Sequence, residues 1–289
     1  MKKGILYALI TAILFVTLEP VSKLIANDVN PYAITFWRFL IGSVILLPPA
    51  IIKIKKENIH ITAIDWFKMV LLGILFICIS MVVLQVAVKK AEAPSLIAII
   101  FSANSVFTIL FAILINKEKV NLNKAIALIL GVTGVVLCAD FSSGANLESV
   151  LLAVIAALSF SLYTVMSQRY TKKLSGVIQS AMVFLSGSII LLIALLIMGV
   201  DVTVKFEVET ISILCYLGLL VTGIGYASYF KAIETGGAIM ASLAFFIKPI
   251  LTPFVTWIVN DIEPDFKVFL AIMCIMGASY FAVYRKKKN

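Results

Sequence analysis

Apolar residues in this chain come in long unbroken runs with short polar interruptions between them. Ile189–Ile197, for example, is continuous, with neither the period-two alternation of a half-buried strand nor the narrow stripe of an amphipathic surface helix. A helix needs roughly 20 mostly apolar residues to cross a hydrocarbon core about 30 Å thick. Runs of that length predict ten spans at about residues 4–25, 32–52, 66–88, 94–115, 124–139, 147–167, 177–199, 211–233, 239–259 and 266–284. The connections, mostly 6–14 residues, are too short to hold a separate soluble domain. A transmembrane barrel is excluded by the missing alternation. The fold class expected is an all-α integral membrane protein. Met1-Lys2-Lys3 ahead of the first run looks like the basic flank of a signal peptide. That run is too long, however, and no small-x-small site precedes Asn27-Asp28, so an uncleaved first helix is expected.

The chain also matches itself at a constant offset of 145 residues. Leu6, Ala8, Ala12, Phe15 and Ser22 meet Leu151, Ala153, Ala157, Phe160 and Ser167. Gly42-Ser43 meets Gly187-Ser188, Gly73 meets Gly218, Phe101 meets Phe246 and Glu118 meets Glu263. Chance explains the Ala and Leu pairs easily; it does not easily explain the Gly-Ser pair and the loop glutamates at one offset. Two five-span repeats are predicted, over residues 1–144 and 145–289. Five is odd, so the second repeat enters the bilayer inverted relative to the first, a recurrent plan of secondary transporters. Such a pair supplies two near-mirror states of similar free energy, which alternating access needs. The plainer alternative is a duplication that only made a stable bundle.

Composition agrees: 62% hydrophobic against 13% charged, with a mean hydropathy of +1.11. Too few polar residues are present to cover a water-soluble surface, which excludes a soluble enzyme, a secreted disulfide scaffold, a disordered tail and a nucleic-acid-binding module. The net charge of +9 is mostly a topology signal. With the N-terminus inside, 17 of the 24 Lys and Arg fall on the inner face, four on the outer and three within spans. Basic residues prefer cytoplasmic loops, so both termini are expected in the cytoplasm, in a multi-pass protein of the cell membrane. Cys78, Cys138, Cys215 and Cys274 lie in or at the ends of apolar spans without CxxC spacing and read as reduced packing residues. His60 is the single histidine, so no histidine metal cluster is possible, and neither metal nor cofactor is expected.

Ionisable groups inside lipid cost at least about 2.5–3.5 kcal/mol unless paired or hydrated. Four stand out: Glu19 and Lys23 in span 1, Arg38 in span 2 and Lys248 in span 9. Glu19 lies about 22 Å along its helix at 1.5 Å per residue, with Lys23 four residues on along the same face. A local Glu19–Lys23 pair and a long-range Glu19–Lys248 pair both fit. Arg38, beside Trp37, reads as an outer-interface anchor. Lys248 sits near the midplane between Phe245 and Pro249-x-x-x-Pro253, the pattern of a kinked helix that lines a polar cavity. It is the first candidate for binding a substrate carboxylate or phosphate. Asn104, Ser105, Tyr163, Tyr226, Tyr229 and Gln85 are further candidates for the substrate or coupling site, and each serves equally well as an interhelical hydrogen bond. Glu118 and Glu263 close spans 4 and 9 and suit gating or structural roles.

These stretches resemble the ten-helix EamA-type members of the drug/metabolite transporter superfamily. The resemblance is carried by Tyr7-Ala8-Leu9 through Lys23, Arg38-Phe39-Leu40, Ser105-Val106-Phe107-Thr108 through Glu118, Ala156 through Thr164, and Lys248-Pro249-Ile250-Leu251-Thr252 through Glu263. It implies a carrier of small metabolites with a central cavity lined by spans 1, 3, 4, 6, 8 and 9, in a family many of whose members are exporters. It also implies gating or structural roles for Lys23 and Arg38, which resemble letters common in that family. The chain departs from the family pattern at Phe15-Val16, where Trp-Gly is common, and at Ser105, where Pro is common. It also departs at Lys248, where many members are acidic, and at Glu19. The expected function is secondary transport of a small polar or amphipathic solute, amino-acid-like among the candidates, with protons as the coupling ion through Glu19. No GxxxxGK[ST] loop supplies ATP-driven work. The rivals are a lipid flippase or channel and an intramembrane enzyme; the partners expected are solute, bilayer and protons, with a monomer or homodimer both compatible.

Overall fold

A computed structural model of the chain describes residues 2–117, 119, 121–141, 146–170, 174–264 and 268–283. Every regular element among the described residues is helical, as lipid demands of a backbone that must satisfy its own N–H and C=O groups. The first span is two helices, α1 (Lys2–Val16) and α2 (Leu18–Leu24). The break at Thr17 corrects the continuous helix expected there. Pro20 is its cause, since its ring has no N–H to offer Val16 and crowds that carbonyl. Span 2 is α3 (Pro31–Lys56), with Pro31 in its first turn, Asn30 accepting from the Tyr32 N–H at 3.1 Å, and Lys53, Lys55 and Lys56 in its last turn.

Span 3 runs as α4 (Ala63–Gly73), a π-helical stretch π1 (Ile74–Met81) and α5 (Val82–Lys90). Span 4 is α6 (Pro94–Ser102) and α7 (Asn104–Asn116), broken at Ala103, again where one helix was expected. There follow α8 (Leu122–Phe141), α9 (Leu147–Tyr170) and α10 (Gly176–Ile197). Next come α11 (Val208–Cys215), a second π-helical stretch π2 (Tyr216–Ile224), α12 (Gly225–Asn260) and α13 (Val268–Val283). Among the described residues seven stretches are long and apolar enough to cross a membrane, and Leu122–Cys138 and Val268–Phe281 are shorter apolar helices.

The connection expected at about residues 234–238 is absent as a non-helical segment, because α12 is helical throughout its 36 residues. It is nevertheless not a straight rod. Tyr229 and Phe245 would stand about 24 Å apart along one at 1.5 Å per residue, yet their ring centroids lie 5.8 Å apart. Phe15 of α1 touches both rings, at 6.4 and 6.2 Å. The chain therefore doubles back between them, and the two limbs of α12 pack on α1 together.

Two close helix crossings frame the molecule. A Cβ on Gly42 of α3 would lie 2.6 Å from the Thr222 methyl and 3.5 Å from the Gly218 carbonyl oxygen of π2. A Cβ on Gly187 of α10 would lie 2.9 Å from the Gly73 carbonyl oxygen at the end of α4. The 145-residue offset turns Gly42 into Gly187 and Gly73 into Gly218, so the two crossings exchange with one another. Between them sits a buried aromatic cluster in which Phe76 stacks on Tyr163 at 4.5 Å and meets Phe184 and Phe39 at 5.7 and 5.3 Å.

Candidate functional site

The most deeply buried charges of the chain meet beside this cluster. Lys248 Nζ donates to Glu19 Oε1 at 2.6 Å, with Glu19 and Lys248 only 0% and 2% exposed. The ammonium also lies 5.5 Å from the centre of the Phe101 ring. Glu19 Oε2 is buried without a hydrogen-bond partner. Glu19 is delivered by α2, the short helix that the Pro20 break sets off from α1. Pro249, directly after Lys248, leaves the Phe245 carbonyl without its usual helical donor, and the Thr252 hydroxyl donates to the Lys248 carbonyl at 2.7 Å.

Arg38 is also buried, at 3% exposure, which overturns its reading as an outer-interface anchor. One Nη donates to the Met81 sulfur at 3.4 Å, and the guanidinium lies 4.6 Å from the centre of the Phe39 ring. Its Nε has no partner, and no carboxylate pairs with it among the described residues. Neighbouring Trp37 donates its indole N–H to the Val202 carbonyl at 3.0 Å.

Arg38 and Lys248 line one small cavity with Phe15, Leu18, Met81, Phe101, Phe160, Val221, Thr222, Tyr226 and Phe245. Its free space of about 20 Å³ is room for a single water, so the cavity holds no solute-sized volume in this conformation. Apart from Arg38 and Phe160, the lining residues sit at or beside interruptions in their helices: the Thr17 break, the Ala103 break, π1, π2 and Pro249. Irregular backbone at membrane depth is tolerated where it faces a cavity, which accounts for the clustering. Two lining pairs are also repeat partners at the 145-residue offset, Phe15 with Phe160 and Met81 with Tyr226. The charges have no such partners, since Thr164, Val183 and Ala103 stand opposite Glu19, Arg38 and Lys248.

The other candidates from sequence divide. Tyr226 faces the cavity. Tyr229 packs on Phe15 and Phe245, and Tyr163 on Phe76, as walls one layer back. Asn104 secures the helix break: its Nδ2 donates to the Phe101 carbonyl at 2.7 Å, and its own carbonyl accepts the Ser161 hydroxyl at 2.7 Å. Ser105 bonds Ser279 at 2.8 Å, away from the lining. Gln85 is buried in α5 with its amide nitrogen unpartnered. Lys23 does not pair with Glu19, the local partner expected for it. Its ammonium donates to the carbonyls of Val88, Lys89 and Ala91 at 3.2, 2.9 and 2.5 Å, fastening α2 to the end of α5. Glu263 is exposed at the end of α12, and Glu118 lies outside the described residues. Phe15, Phe160 and Met81 carried no polar signal, yet the repeat offset and the proximity of Phe15 to Glu19 single them out.

Two copies of the profile of the EamA-like transporter family match the chain, at residues 2–139 and 147–284. An uncharacterized transporter of Clostridium kluyveri is 33% identical over 297 residues, covering 100% of this chain and 95% of its own. The uncharacterized transporter YdfC of Bacillus subtilis is 25% identical over 266 residues, covering 90% and 84%. One of Archaeoglobus fulgidus is 22% identical over 249 residues, covering 84% of each. A protein of known crystal structure superposes with a TM-score of 0.68 at 17% identity, over 98% of this chain and 97% of that one, which bears on the fold alone.

Proposed function

The chain belongs to the EamA-like transporter family, and we propose that it carries a small metabolite bearing an anionic group across the membrane, bound in the small charged cavity between its two halves. The observation that supports this reading is the charge balance of the site. Arg38 and Lys248 contribute two positive charges and Glu19 one negative, so the buried cluster is one negative charge short. A buried charge is costly unless paired, and a bound carboxylate would supply the missing partner at the unpartnered Arg38 Nε. Oε2 of Glu19 is likewise unpartnered, behind Lys248 of the lining. In this reading it would accept from an ammonium on the same solute once the cavity expands, which favours an amino-acid-like zwitterion. Phe15, Phe101, Phe160, Tyr226 and Phe245 would enclose its apolar body.

In this reading the five-span halves are inverted, both termini are cytoplasmic, and rocking of the halves exposes the cavity alternately to each side. The cavity must expand to admit solute, and the interrupted helices around it are where small rotations are least costly. Protonation of Glu19 would release Lys248, giving proton coupling a structural route. The test is counterflow of carboxylate-bearing solutes in proteoliposomes. Arg38→Gln is expected to lower apparent affinity by tenfold or more, the order of one charge-assisted hydrogen bond. Glu19→Gln is expected to abolish the response to an imposed pH gradient. Unchanged affinity in Arg38→Gln overturns the anion reading, and an undiminished pH response in Glu19→Gln overturns the coupling.

A further inference from the structure

On the lipid-facing side of the bundle, away from the charged cavity, a groove of about 730 Å³ runs between α6, the last turns of α12 and the first half of α13. The volume lies within the range of small-molecule sites. Leu96, Ile99 and Ile272 form its floor, and the exposed Phe254, Phe269 and Met273 flank it. The wall is apolar except at one end, where two carboxylates, Glu92 before α6 and Glu263 after α12, stand at the rim. Both are exposed, and neither has an ion-pair partner among the described residues.

The cations on this face are differently placed. The ammonium of Lys23 is within electrostatic reach of Glu92 but is held by three backbone carbonyls. Lys90 is paired with Glu148 at 2.8 Å. No lysine or arginine among the described residues lines the groove. It therefore offers an apolar trough whose rim carries two exposed carboxylates without an ion pair among the described residues, and its complement is an acyl chain carrying a cationic head.

We propose that this groove binds an amine-headed phospholipid of the adjacent leaflet, one acyl chain lying along Leu96, Ile99, Ile272 and Met273 with the ammonium between Glu92 and Glu263. Phosphatidylethanolamine is the type of ligand meant. A phosphatidylglycerol of equal chain length fits the trough equally well but brings no cation to the carboxylates.

Native mass spectrometry of the full chain, released from vesicles of equimolar phosphatidylethanolamine and phosphatidylglycerol with matched chains, tests this. The amine lipid is expected to remain bound in preference by roughly threefold to tenfold, as two interfacial ion pairs imply. The Glu92→Gln/Glu263→Gln double variant is expected to bring the ratio to near one. Met273→Trp, which fills the trough, is expected to reduce retention of both lipids. Both glutamates are exposed, so the Gln variants keep the fold, and an unchanged elution volume in detergent checks this. Equal retention of the two lipids by the unaltered protein, or a preference that survives in the double Gln variant, overturns the proposal. Loss of the amine lipid to dodecyltrimethylammonium but not to a neutral detergent would support head recognition by charge. Solute counterflow is a separate readout, so failure here leaves the central-cavity reading untouched.

Discussion

At the scale of single residues, the Glu19–Lys248 pair carries the clearest prediction. Removing one member of a buried ion pair leaves the other charge without compensation, at a cost of about 3–5 kcal/mol. Lys248→Met alone strands the Glu19 carboxylate, and Glu19→Leu alone strands the ammonium beside Phe101. The double variant strands neither. Each single change is expected to lower the thermal midpoint in detergent by several degrees, with the double variant recovering most of the loss. Additive losses would show that the pair is not the stabilising unit. The sequence disclosed Glu19 and Lys248 because a charge inside an apolar run is conspicuous. It offered their partnership only as one of two, beside Glu19–Lys23, since a sequence separation of 229 carries no distance information. Arg38 was misread for a related reason. Next to Trp37 it looks like an interface anchor, and only the three-dimensional course of α3 shows the guanidinium turning inward to Met81.

Elements were legible to different degrees. Apolar run length gave the helices, and Pro20 explains the Thr17 break once it is seen. The Ala103 break has no proline near it; the Asn104 side chain, bonding the Phe101 carbonyl, takes over at that turn. Neither π1 nor π2 has a sequence signature, because a wide turn is selected by packing on neighbouring helices rather than by local preference. Packing at the crossings is where the glycines matter. A methyl at Gly73 would stand 2.9 Å from the Gly187 backbone nitrogen, and backbone cannot swing aside as a side chain can. Gly73→Ala is therefore expected to destabilise by about 1–3 kcal/mol, the range for overpacking. Gly277→Ala, whose new methyl would meet only a Leu130 methyl at 3.3 Å, is expected to be nearly neutral. Comparison of the two thermal midpoints checks this; equal losses would mean the α4–α10 crossing is looser than its geometry.

For the whole molecule, the apolar frame and the charges obey different rules. Gly42 with Gly187, Gly73 with Gly218, Phe15 with Phe160 and Met81 with Tyr226 all exchange under the one offset, so the scaffold around the cavity is built twice. If each unit holds an odd number of spans, as proposed, such a scaffold presents the same walls to either side, as a device opening alternately to both sides requires. Glu19, Arg38 and Lys248 break that equivalence, which suits the proposed solute with distinct ends, since a symmetric set of charges would hold both ends alike. On the proposed reading the frame bears on how the protein moves and the charges on what it holds. If the halves are inverted, corresponding points of the two repeats lie on opposite membrane faces. Glu57 follows the second span of the first repeat, and Gly199 and Lys205 follow the second span of the other; Glu57 and Lys205 are both exposed. Glu57→Cys and Lys205→Cys, each in a background lacking the four native cysteines, are therefore expected to react with a membrane-impermeant maleimide from opposite sides. In intact cells Lys205→Cys should label and Glu57→Cys should label only after permeabilisation, the lysines at 53, 55 and 56 marking the cytoplasmic face. Labelling of both from the same side would make the repeats parallel, and near-mirror states would no longer follow from the duplication.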